Sequence, residues 1–316
     1  MTLLIHPGFH KTATTWLQNE LFTDPRWFRM LMQPEDVQKW IVRPHDFAFD
    51  ADAARQEIAA RRAAGTPASI DVISNENLVA NPFFGSRESK LLVERLRLIA
   101  PEAKILLTVR RQPAAMRSLY QQYVKRGGSL SVEDFFDQNE KCEPGYYGFD
   151  PLCLRFDLLA DEYARAFGPD NVLVLPQELL AKDARAFLGA ILQHCGMAGP
   201  AEGETPSTKM GAGKSPPDGG VPLLRLANRL RPTPVYPAGP RSLAPIGNFL
   251  YRLAYHQHAF SSYYRRKLEG AIEERASGHY AAGNRHLQSY CPVDLAKLKY
   301  EMAEDVSLPG VAAGGQ

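Results

Sequence analysis

The chain opens on a short apolar run, Thr2 to His6, closed by Pro7-Gly8. An apolar run of this length, with a β-branched isoleucine and a turn pair behind it, predicts a buried strand. Thr12 to Phe22 changes period: Trp16, Leu17 and Leu21 fall on one helical face. Residues 23 to 68 are irregular apart from a helix expected over Ala51 to Ala64. Ser69 to Ser74 predicts a second strand. Glu88 to Ala100 predicts a helix with Leu91, Leu92, Leu96 and Ile99 on one side. Lys104 to Val109 reads as a third strand, apolar along its body as a central parallel strand is. Helices are expected over Pro113 to Val124 and Leu152 to Phe167. Gly168-Pro169-Asp170 then turns into a strand over Asn171 to Leu175, and Ala184 to Cys195 is helical again.

Strand and helix therefore alternate to about residue 198. That alternation predicts an α/β fold, a parallel β-sheet flanked by helices, with ligands at the carboxyl ends of the strands. Beyond it the pattern changes. Residues 199 to 222 are rich in Gly, Pro, Ser and Lys and read as a long loop, and residues 231 to 245 hold five prolines. Ser261 to Tyr290 reads as helical. The expected organisation is a core over 1–198, a loop and Pro-rich segment over 199–245 that covers a cofactor, a helical C-terminal part over 246–304 packed on the same domain, and a flexible tail over 305–316. No internal repeat is visible.

Composition narrows the function classes. Lys and Arg number 37 against 35 Asp and Glu, a formal charge of +2 that is too small for a general nucleic-acid binder, though local basic clusters still suit phosphates. Cys142, Cys153, Cys195 and Cys291 have no metal-ligand spacing and read as free thiols of a reducing compartment. The start resembles no secretory signal, and no apolar run is long enough to span a bilayer. A cytoplasmic protein is expected, reaching membranes only through a substrate or partner.

Candidate chemistry concentrates in two places. The first is His6-Pro7-Gly8-Phe9-His10-Lys11-Thr12-Ala13-Thr14-Thr15-Trp16. Here a strand enters a glycine turn and emerges as a helix, with a lysine and three threonines at the junction. Helix N-termini carry unpaired N–H groups and the positive end of the macrodipole, so this arrangement builds a cradle for phosphate or sulfate. A Walker A loop needs glycine directly before the lysine, where His10 stands. The segment instead closely resembles the 5′-phosphosulfate-binding loop of sulfotransferases that use 3′-phosphoadenosine 5′-phosphosulfate (PAPS), whose bacterial members often read GxHKTGTT. The resemblance implies that Lys11 bonds the phosphosulfate. It implies too that Gly8, His10, Thr12, Ala13, Thr14 and Thr15 form the cradle. The family usually has glycine where Ala13 stands, and alanine is costly there if its φ is positive.

The second place runs from Val109-Arg110-Arg111-Gln112-Pro113 to Ser118-Leu119-Tyr120. An arginine closes a strand, and a serine follows eight positions later on the next helix. This is similar to the family's 3′-phosphate-binding signature, and the resemblance implies that Arg110 and Ser118 hold that phosphate. Arginine's planar fork suits two phosphate oxygens. The likeness covers most of residues 2 to 198 and is strong in these two motifs; it implies a P-loop NTPase-like sulfotransferase architecture.

Other signals are weaker. Gly211-Ala-Gly-Lys214-Ser215 imitates the end of a Walker A loop, but Thr208 stands where its first glycine belongs. In the family a late basic loop often covers the 3′-phosphate, a role open to Lys209 or Lys214. Lys125-Arg126-Gly127-Gly128 reads as the ordinary cationic end of a helix. Glu76 follows the second strand, on the expected cleft side, and is the first choice for a general base; His45 is the second and Asp46 the third.

The expected reaction is transfer of a sulfuryl group from PAPS, without a metal, to a hydroxyl of a small molecule, a glycan or a lipid-linked sugar. A P-loop-type kinase, which requires Mg²⁺ and an acidic strand end, and a non-catalytic nucleotide-binding protein are the alternatives.

Overall fold

The computed structural model describes residues 2–65, 70–137, 148–206 and 216–304. Lys209 and Lys214, the Gly211–Ser215 segment, Cys142 and the segment 305–316 lie outside the described residues.

Five strands form one parallel sheet: β1 (Leu3–His6), β2 (Phe28–Met32), β3 (Ile70–Ser74), β4 (Lys104–Val109) and β5 (Val172–Pro176), in the order β2-β3-β1-β4-β5. β1, β3 and β5 are buried along their whole length, because helices cover both faces and leave no solvent side. Alternate residues feed two cores. Leu3, Ile5, Ile73, Ile105, Leu107 and Val174 enter one; Leu4, Val72, Leu106, Leu173 and Leu175 enter the other. On the first face lie α3 (Ala51–Ala63), α4 (Ser89–Ile99), α5 (Gln112–Lys125) and α7 (Phe156–Phe167), contributing Ile58, Leu96, Leu119 and Tyr163. The second face is covered by α1 (Thr14–Trp16, continued as a π-turn over Leu17–Leu21), α8 (Gln177–Lys182) and α9 (Ala184–His194).

The order places the switch point beside β1: the chain builds β2 and β3 on one side of it, then β4 and β5 on the other. Ligands of such sheets bind where the strand order reverses, at the carboxyl ends. The segments after His6 and after Val109 meet there.

The remaining helices are α2 (Pro34–Val37, continued as a π-turn over Gln38–Val42), α6 (Val132–Asp137), α10 (Val221–Arg229), α11 (Ala244–Ala254), α12 (Ser261–Ala276) and α13 (Ala281–Leu287). α10 and α12 pack on α5, and α13 packs on α7. The buried pair of Gln112 and Asn284, at 2.7 Å, fastens the start of α5 to α13.

Several elements differ from the sequence reading. β2 and α2 occupy a stretch that shows no period. α10 lies within the 199–245 stretch read as loop and Pro-rich, whereas α11 starts in its last two residues and runs on into the part expected to be helical. The single helix expected over Ser261 to Tyr290 is two, because Gly278 at φ +71° follows the end of α12. The helix expected from Leu152 begins as a 3-10 turn, Pro151–Leu154, and becomes α-helical at Phe156. Cys153, Cys195 and Cys291 are free thiols. Among the described residues no helix is long and apolar enough to cross a membrane.

Candidate functional site

The turn after β1 rests on a chain of buried hydrogen bonds. Gln18 Nε2 donates to Ser74 Oγ at 3.2 Å, and Ser74 Oγ meets His6 Nδ1 at 2.8 Å. His6 Nε2 meets Thr108 Oγ1 at 2.9 Å, Thr108 Oγ1 meets Thr12 Oγ1 at 2.8 Å, and Thr12 Oγ1 donates to the Phe9 carbonyl at 2.5 Å. One assignment of protons satisfies every link: Ser74 donates to Nδ1, Nε2–H donates to Thr108, and Thr108 donates to Thr12. His6 is therefore a neutral imidazole, and burial lowers its pKa to about 3. Gly8 closes over this ring. A Cβ at that position would stand 2.6 Å from His6 Cε1 and 3.0 Å from Thr108 Oγ1, so only glycine fits.

The chain then takes a strained path. Lys11 and Ala13 have φ of +70° and +64°, the left-handed region that costs a residue with a Cβ about 1–2 kcal/mol. Two such residues within three positions fold the backbone around the point where α1 begins. Non-glycine strain of this kind persists where the surroundings over-determine it, as they do at binding sites. Thr12, read as a contact to the anion, spends its hydroxyl on Phe9, which leaves its backbone for that purpose. Thr14 Oγ1 is buried and has no partner among the described residues. A buried unpaired hydroxyl in a cationic turn fits an oxygen ligand. Thr15 is exposed.

Arg110 leaves the end of β4 and donates from Nη1 to the Lys11 carbonyl at 3.3 Å. The two sequence motifs thus meet. Ala114, Arg117, Ser118 and Gln121 follow at helical spacing along α5 and, with Arg110, line a cavity of about 350 Å³. The eight-residue interval is two helical turns plus the strand end, which is why Arg110 and Ser118 share a wall. Arg117 and Arg265 also line it, both held by the buried Asp218: Arg117 Nη2 donates to Asp218 at 2.9 Å and Arg265 Nε at 2.9 Å, with Gln121 Nε2 at 3.0 Å. Sequence reading missed Arg117, Asp218 and Arg265, which lie up to 148 positions apart and meet only through the packing of α12 on α5.

Charge in the cleft is unbalanced. The Lys11 ammonium stands partly open to solvent, and its pKa is lowered by burial and by Arg110, Lys125 and Arg126, with Glu76 acting in the opposite sense. Arg110 is lowered as well, first by burial, while Glu178 offsets part of it and Arg111 and Arg117 add to it. Neither Lys11 nor Arg110 makes an ion pair among the described residues. Lys125 and Arg126, read from sequence as an ordinary helix end, belong to this field. Mutual repulsion among desolvated cations is what an anion relieves.

Glu76 opens the turn after β3, half-buried, and acts electrostatically on both Lys11 and His10. It lines a second cavity of about 360 Å³ with Gln18, Gln38, Arg43, Asn75 and Asn77. Gln38 Nε2 is buried there without a partner among the described residues. His10 Nε2 lies 3.1 Å from the Ala80 carbonyl; a carbonyl only accepts, so Nε2 carries the proton and Nδ1 keeps its lone pair. Burial lowers the pKa of His10 and Glu76 raises it.

His45 stands apart. It is exposed, its Nδ1 accepts from the Phe47 N–H at 3.3 Å, and it lines a third cavity of about 450 Å³ rather than the one that holds Glu76. Asp46 in that cavity is bound by the buried Arg95 at 2.6 Å. The two cavities share a wall of Gln38 and Asn77. Among the described residues no group of three His, Cys, Asp or Glu side chains is placed to hold a metal ion.

No family model matches the chain, and no curated protein matches it. Among solved structures, the fold is similar to a sulfotransferase from Alicyclobacillus acidocaldarius. The identity is 16%, the match covers 84% of this chain and 99% of that one, and the TM-score is 0.47. A likeness this distant carries no argument about chemistry, which rests on the cleft itself.

Proposed function

We propose that the chain is a sulfotransferase that moves a sulfuryl group from PAPS to an acceptor hydroxyl. The observation that carries this reading is the junction of Lys11 and Arg110. Two cationic centres stand together, Lys11 in the turn after β1 and Arg110 at the end of β4: the Arg110 charge acts on the Lys11 ammonium, and Arg110 donates to the Lys11 carbonyl. That pair suits a nucleotide with phosphate on both sides of its ribose. The residues fit such a donor: the unpartnered Thr14 hydroxyl and the Lys11 ammonium for the 5′ end, Arg110 and Ser118 for the 3′ end.

The donor supplies an activated sulfuryl group, whose S–O bond to phosphate breaks as a new S–O bond to the acceptor forms. Positioning and charge stabilisation dominate such transfers. Lys11 neutralises the negative charge that gathers on the departing phosphate. Glu76 takes the acceptor proton, because it is the carboxylate that acts on Lys11 from the neighbouring cavity. The Nδ1 lone pair of His10 is the second base in reach of that charge. The acceptor enters past Gln18, Gln38, Asn75 and Asn77, a wall of amides suited to a polar hydroxyl compound such as a sugar.

A phosphoryl-transferring kinase is the competing reading. Release of adenosine 3′,5′-bisphosphate from PAPS, measured by chromatography across a panel of glycan and lipid-linked acceptors, decides between them. Sulfotransfer requires release that depends on acceptor and continues in EDTA. Turnover of ATP that stops when Mg²⁺ is removed would assign the kinase reaction instead. Tight donor binding with no turnover on any acceptor would leave a nucleotide-binding protein.

A further inference from the structure

Charge along the chain is segregated. Gly219 to Leu268 contains eight of the 37 Lys and Arg residues and none of the 35 Asp and Glu, so the rest of the chain is net acidic. The same segment carries most of the large apolar side chains that the fold leaves in solvent. α11 packs its Gly247 side on α10, where an added Cβ would stand 2.9 Å from the Ala227 carbonyl, and buries Ala254. The side next to it presents Ile246, Phe249 and Leu253, spaced three and four apart and therefore one stripe of the helix, with Leu243 exposed at the N-cap. Ile246 is 54% exposed and Phe249 65%. In the turn before α12, Phe260 is held at φ +58° and is 73% exposed. Arg229, Arg241, Arg252 and Arg266 make no ion pair among the described residues.

We propose that α10, α11 and the start of α12 form a docking surface for an anionic lipid bilayer, with Ile246, Phe249, Leu253 and Phe260 entering the interface and the arginines meeting lipid phosphates. Apolar side chains exposed in a row on an amphipathic helix bind interfaces, and arginines beside them select anionic lipid. Charge decides the occupant. A second copy of the chain would bring the same cations against these. A nucleic acid would use the arginines and leave the apolar stripe in water. The inference stands independently of the reaction proposed above.

Co-sedimentation with phosphatidylcholine vesicles, with and without phosphatidylglycerol, tests it. The full chain should bind the anionic vesicles, and added salt should weaken that binding. Phe249→Glu should lower vesicle affinity about tenfold or more. Arg241→Glu combined with Arg252→Glu should do the same. Both variants alter exposed positions, and circular dichroism checks that each remains folded. Failure to bind anionic vesicles, or binding that neither variant weakens, overturns the proposal. So does a dimer that Phe249→Glu dissolves, or nucleic-acid binding that Phe249→Glu leaves intact while vesicles are ignored.

Discussion

Arg110 donates to the carbonyl oxygen of Lys11 at 3.3 Å, and neither side chain meets a carboxylate partner among the described residues. The end of β4 thus fixes the turn after β1 and adds a second cation to it. This arrangement is electrostatically unfavourable on its own and becomes favourable when an anion lies between its members.

Lys11→Ala should leave a folded protein that is no less stable than the parent, because it removes repulsion and no ion pair. Its turnover should fall about a hundredfold or more, the usual cost of one charge-stabilising group. Parallel thermal denaturation and rate measurements check both halves. A folded variant with parental turnover contradicts the role.

Ala13 sits at φ +64°, where glycine loses nothing. Ala13→Gly should therefore raise stability by about 1 kcal/mol, less whatever the methyl contributes in the core beside Trp16. Urea denaturation measures it. A clear loss of stability would show that the methyl's packing outweighs the backbone strain.

Acid should destabilise the fold through His6. Its folded pKa, about 3, lies below the ordinary value of 6.5. Between those values the unfolded chain binds a proton that the folded chain refuses. The stability present above pH 6.5 is thus lost as the pH falls, by about 1.4 kcal/mol per pH unit for one such group, until the folded pKa is reached. His194, lowered to about 4 chiefly by burial, adds in the same sense. Urea midpoints at pH 7.5 and pH 5 should differ accordingly, and equal midpoints contradict the neutral, buried assignment of His6.

Glu76→Gln keeps shape and removes the proton acceptor. Turnover should drop about 10²–10⁴-fold with donor affinity held. If the rate holds while a substitution of His10 abolishes it, the base is Nδ1 of His10.

Much of the fold was legible because the interior strands and amphipathic helices have strong local signals. β4 has the bounds its apolar run gives, and α3, α4 and α9 lie within a residue of theirs. β2 was illegible because Phe28-Arg29-Met30-Leu31-Met32 has no β-branched residue and carries a charge at its second position. Arg29 is tolerated there because the buried Asp71 of β3 pairs with it, a contact no local window contains. Pro222 and Pro245 read as breaks, yet each sits in the first turn of a helix, α10 and α11, where proline gives up no hydrogen bond. The sequence pattern starts α1 at Thr12; the positive φ of Lys11 and Ala13 delays it to Thr14. Lys11, Arg110 and Ser118 were legible by spacing. Asp218, Arg117 and Arg265 were not, since their meeting depends on how the C-terminal helices return to α5.

Calorimetric titration of adenosine 3′,5′-bisphosphate against adenosine 5′-monophosphate tests the donor site most directly and needs no acceptor. The bisphosphate should bind the parent more tightly by about 1.5–3 kcal/mol, the value of charged hydrogen bonds to the 3′-phosphate. Arg110→Ala should remove that difference while leaving monophosphate affinity nearly unchanged. Equal affinity of the parent for the two nucleotides, or equal losses for both in Arg110→Ala, would contradict a cleft built around a 3′-phosphorylated donor.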